Sequence, residues 1–65
     1  MTLKIEYFKV TRNMGVTTKR VAVVEQDSTD GRFALALSRN GRARKGVREF
    51  DTLAEAEAEV NRFFA

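Results

Sequence analysis

Between Gly31 and Arg48 the chain carries six basic residues, Arg32, Arg39, Arg42, Arg44, Lys45 and Arg48, and no acidic one. Cationic groups this close in sequence repel one another unless an anion lies among them. The chemistry open to such a run is therefore attraction of a polyanion, with phosphates as the groups neutralised. Arginine offers a planar fork of donors for it and lysine a compact point charge. The competing use of the same charges is plain solubility, because a small soluble domain needs net charge.

Covalent chemistry has few means here. The chain contains no histidine and no cysteine, which removes thiolate and imidazole metal sites, cysteine nucleophiles and histidine-based acid–base catalysis. Ser28 and Ser38 lack a plausible base, and Glu55, Glu57 and Glu59 are spaced as a solvated helix face. Neither an enzyme nor a metal or cofactor site is expected. Charge is instead divided along the chain. Residues 1–30 hold five basic and four acidic groups, residues 31–48 carry +6, and residues 49–65 set five acids against Arg62. One region attracts polyanions and the C-terminal region does not.

Sixty-five residues imply a single domain, 1–65, close to the lower limit for a self-sufficient core. The missing cysteines exclude disulfides and suit a reducing compartment. The N-terminal MTLKIEYFKV alternates charged and apolar residues rather than forming a signal-peptide core, and no apolar run approaches the ~20 residues that span a bilayer. A cytoplasmic protein without a membrane partner is expected.

Four extended stretches and a helix must position the cations. In residues 2–12 Leu3, Ile5 and Tyr7 alternate with Lys4 and Glu6, but the phase slips at Phe8 and Val10. Either a bulge returns those two to the core or they occupy the other sheet face. Asn13-Met14-Gly15 signals a turn. Residues 17–26 are β-branched and apolar on both parities, as in a central strand. Residues 27–31, DSTDG, make the next turn. Residues 32–39 put Phe33, Leu35 and Leu37 on one face and Arg32, Ala34, Ala36 and Ser38 on the other. Asn40-Gly41 is a strong hairpin signal, and a return strand follows over residues 43–50. Thr52 and Glu55 have capping-box spacing, and Leu53, Ala56, Val60, Phe63 and Phe64 form one helical stripe.

The expected fold is α+β: an antiparallel sheet of three to four strands with one C-terminal helix on one face, in the order β-β-β-β-α. Phe33, Leu35, Leu37, Val21, Val23, Phe50 and the helix stripe are the expected core. The uncovered face is then left with Ala22, Val24, Ala34, Ala36 and Ser38, with Arg20, Arg32 and Lys4 at its margins. A shallow apolar surface of this kind suits either a nucleic-acid groove or a second copy of the chain. A homodimer through it is a second expectation.

The segment from Gly31 to Phe64 resembles the small DNA-binding domains built of a three-stranded sheet and a helix: the arm-type domain of phage tyrosine integrases and its relatives of the plant ethylene-response type. The strings that carry the resemblance are GRFALALSR, the turn NGRARKG and the helix opening FDTLAEA. It covers about half the chain. The resemblance implies a sheet entering the major groove, with Arg32, Arg39, Arg42, Arg44, Lys45 and Arg48 as the contacts.

The expected function is binding of duplex DNA by a small basic protein of phage or mobile-element type. Arg42, Arg44 and Arg48 would share one face of an extended return strand and follow the phosphates. The alternative is a protein-binding inhibitor, such as a phage-encoded anti-CRISPR protein acting on a host complex, with Glu55, Glu57 and Glu59 standing in for phosphates.

Overall fold

The computed structural model describes residues 3–43 and 46–65. Five strands, β1 (Lys4–Asn13), β2 (Val16–Gln26), β3 (Phe33–Arg39), β4 (Arg42–Ala43) and β5 (Arg48–Phe50), precede one helix, α1 (Leu53–Phe64). The strands form one antiparallel sheet in the order β1-β2-β3, with β4 and β5 both pairing with β3. This is the α+β architecture expected, with the helix laid on one face of the sheet.

Two tight hairpins set the register. Asn13 pairs with Val16 and Arg39 with Arg42, leaving Met14-Gly15 and Asn40-Gly41 as two-residue loops. All four loop residues have positive φ, between 51° and 81°, the type I′ geometry whose twist matches that of the flanking strands. Asn40 also extends the ladder: its N–H donates to the Lys19 carbonyl at 2.7 Å, and its Oδ1 accepts from the Lys19 N–H at 2.8 Å. The loop between β2 and β3 is held by its own polar groups, as its composition predicts. Asp27 Oδ1 accepts from the Thr29 N–H and Asp30 Oδ1 from the Arg32 N–H.

The phase of β2 differs from the sequence reading. Ala22 and Val24 are fully buried beneath the helix, beside Leu35, Phe50, Ala56 and Val60. Val21 and Val23 lie on the uncovered face, where Val21 is paired with Phe8 and Ser38, and Val23 with Glu6 and Ala36. Both parities of β2 are apolar, so alternation alone cannot choose. Ala22 on the sheet and Ala56 on the helix are both fully buried, in one core cluster with Val24 and Val60. Phe33, Leu35 and Leu37 do face the helix, with Ile5 and Tyr7 in the same cross-strand rows. β1 contains no bulge, since its pairing with β2 is unbroken from Lys4 to Asn13. Phe8 and Val10 therefore occupy the other face.

The described return side consists of two short pieces: Ser38 pairs with Ala43 and Leu35 with Arg48. Between them Gly46 has φ +85°, and Arg44 and Lys45 of the expected strand 43–50 lie outside the described residues.

Thr52 caps the helix as its spacing predicts. Its hydroxyl oxygen accepts from the Glu55 N–H at 3.2 Å and the hydroxyl donates to Glu55 Oε1 at 3.0 Å. Thr52→Ala is expected to lower stability by about 1 kcal/mol, read as a shift of the urea midpoint; an unchanged midpoint would contradict the cap's contribution. At the other end, Lys9 Nζ donates to the Phe64 carbonyl at 2.6 Å. That satisfies one of the helix's last carbonyls with a cation where the dipole favours one.

Tyr7 anchors β1 beneath the helix, and its hydroxyl lies 3.4 Å from Glu57 Oε1, toward which it donates. Burial, then the nearby Glu57 carboxylate, raises its pKa above the usual value near 10. The native state thus holds this proton more tightly than the unfolded chain does. The stabilisation is complete below about pH 10 and is lost as pH rises through the native pKa. Tyr7 is the only tyrosine, so an ultraviolet titration should give a higher midpoint in buffer than in urea.

Candidate polyanion-binding site

The register brings together cations that lie far apart in sequence. Lys9 pairs with Arg20, Arg20 with Arg39, and Arg39 with Arg42. Directly opposed residues of an antiparallel sheet leave the same face, and this row shares the parity of Tyr7, Ala22 and Leu37. It therefore lies on the helix side of the sheet, beyond the helix C-terminus, where Lys9 reaches the Phe64 carbonyl. Neighbouring strands are about 4.8 Å apart, so Arg20, Arg39 and Arg42 span about 10 Å across three strands. A cleft of about 450 Å³ opens beside them, lined by Arg20, Leu37, Arg39, Glu59, Arg62 and Phe63.

These arginines differ from Arg32, Arg48 and Arg62 in their partners. Arg32 is held by Glu49 at 3.3 Å and by Asp51 at 3.1 Å. Arg48 reaches Glu59 at 3.0 Å and lies 5.3 Å from the centre of the Phe50 ring. Arg62 reaches the other oxygen of Glu59 at 2.9 Å. No carboxylate of the described residues is ion-paired with Arg20, Arg39 or Arg42. Like charges directly opposed across strands are destabilising, and here four stand in one row, Lys9 and the three arginines.

Of the six cations singled out by sequence, then, Arg39 and Arg42 stand together in the row. Arg32 and Arg48 are engaged by carboxylates of the same chain, and Arg44 and Lys45 lie outside the described residues. Arg42 and Arg48 do emerge on one face, but from two separate short strands. Arg48 is exposed yet paired: its own side chain is 65% exposed, and that of its partner Glu59 is 17% exposed. Arg20 was expected at the margin of the uncovered face and lies on the opposite one. Lys9 and Arg20 were missed as members of the site because cross-strand neighbours follow only from the register.

The acidic stripe is also altered. Glu55 is bound to the Thr52 hydroxyl, Glu57 faces Tyr7, and Glu59 lies between Arg48 and Arg62. Glu59 is largely covered rather than outward. No helix among the described residues is long and apolar enough to cross a membrane. Comparison with protein-family models, curated proteins and solved structures gives no match.

Proposed function

We propose that this chain binds duplex nucleic acid, holding the phosphate backbone with Arg20, Arg39 and Arg42. The observation that carries the reading is the cross-strand row of three arginines, none of them ion-paired with a carboxylate of the described residues. Held alone, the row costs folding free energy; a polyanion laid across it removes that cost and releases counterions. Each strand of a duplex carries one phosphate per about 3.4 Å of helix axis, so a row about 10 Å long suits a backbone better than a single small anion. DNA is the substrate class proposed first, as the sequence suggests.

The contact differs from insertion of the open sheet face into a groove. The middle of that face is Phe8, Val21, Val23, Ala36 and Ser38, which has no cation to place against phosphates. An inhibitor that mimics phosphates is less well supported, because Glu55, Glu57 and Glu59 each have a partner within the chain.

The test is a fluorescence-anisotropy titration of a generic DNA duplex over a series of salt concentrations. Three neutralised phosphates predict a slope of about −2.7 in log K against log salt. Absence of binding at low salt would overturn the proposal.

A further inference from the structure

The uncovered sheet face holds an arrangement that does not depend on the arginine row. Along central strand β2 its side chains run Lys19, Val21, Val23, Glu25. That order, cation, valine, valine, anion, is its own complement when the strand is set against a second copy running the opposite way. A two-fold axis parallel to the sheet, midway between the two copies, perpendicular to the strands and level with Ala22, places Val21 of each copy on Val23 of the other. It also brings Lys19 of each onto Glu25 of the other. Within one chain the two charges are six residues apart along an extended strand, about 20 Å, too far to meet. Neither has an ion-pair partner among the described residues.

Of the flanking strands, β3 suits the same packing, and β1 sets Phe8 on Glu6 and Val10 on Lys4 of the other copy. Ala34, Ala36 and Ser38 of β3 are small, permitting two sheets to approach face to face, while Phe8 of β1 is 71% exposed and Val10 is exposed beside it. A face about 19 Å wide and 30 Å long presents on the order of 600 Å² per copy. That is close to the ~800 Å² per partner of a stable interface.

We infer that this face binds a second copy of the chain, forming an isologous two-fold dimer in which opposed β2 strands exchange Lys19–Glu25 pairs. The helices lie outside such a dimer and the arginine rows remain exposed, so DNA binding and dimer formation can succeed or fail independently.

Sedimentation equilibrium of the full chain tests the inference. The parent is expected to be a dimer at micromolar concentration. Lys19→Glu sets acid against acid twice across the axis and should weaken the dimer about tenfold or more. Adding Glu25→Lys to it restores both pairs with their signs exchanged, and affinity should return to within a few-fold of the parent. Phe8→Asp should favour the monomer by a separate route. All these positions are at the surface, so circular dichroism should be unchanged. A monomer at every concentration would overturn the inference, as would a dimer that Lys19→Glu leaves intact or that the double exchange fails to rescue.

Discussion

Replacing Arg20, Arg39 and Arg42 together by glutamine is expected to weaken duplex binding on the order of 10²-fold at about 0.1 M salt. The magnitude follows from counterion release: each phosphate contact contributes about 0.9 to the salt slope, and three contribute about 2.7. The same substitution should flatten the slope by that amount, so parent and variant converge as salt rises toward about 1 M. A separate sign distinguishes this account from charges kept for solubility. Arg39 stands between Arg20 and Arg42 in the row, so Arg39→Thr relieves two like-charge oppositions at an exposed strand position. It should raise the stability of the free protein by about 0.5 kcal/mol while weakening the complex. A solubility role predicts no coupled change in binding.

The largest effect on folding is expected at Leu35. It lies on the central part of β3, paired with Val24 on one side and Arg48 on the other, and packs in the core with Ala56 and Val60. Leu35→Ala should cost about 3 kcal/mol through lost burial and an unfilled cavity. A core of this size supplies only about 3–5 kcal/mol in total. The variant should therefore be largely unfolded at 37 °C, with its helical circular dichroism lost. Ala36→Thr, one residue along and on the other face, is exposed in the single chain and, at a concentration where the chain is monomeric, should change stability by no more than about 0.5 kcal/mol. Equal effects at the two positions would contradict the assignment of faces in β3.

Local features of this chain were legible in the sequence where one residue type settles the geometry. Asn40-Gly41 predicts the type I′ hairpin that forms, Thr52 with Glu55 predicts the cap, and the alternation of Phe33, Leu35 and Leu37 predicts the covered face of β3. β2 was not legible in the same way. Its valines fall on both parities, and which parity is covered is a tertiary fact: Ala22 and Val24 are buried with Ala56 and Val60 of the helix. The helix stripe likewise predicts Glu59 to be solvated, whereas β5 brings Arg48 against it. The site shows the same limit. A linear run marks Arg39 and Arg42, but only the register adds Lys9 and Arg20 and assigns Arg32 and Arg48 to carboxylates.

Arginine side-chain Nε–Hε resonances report directly on which arginines meet phosphate. In a titration of the labelled protein with a short DNA duplex at low salt, the signals of Arg20, Arg39 and Arg42 should shift together and saturate together. Those of Arg32 and Arg48, held by Glu49, Asp51 and Glu59, should move little. Shifts centred on Arg32 and Arg48, or on the Phe8 and Val21 face, with the row unmoved, would contradict the account.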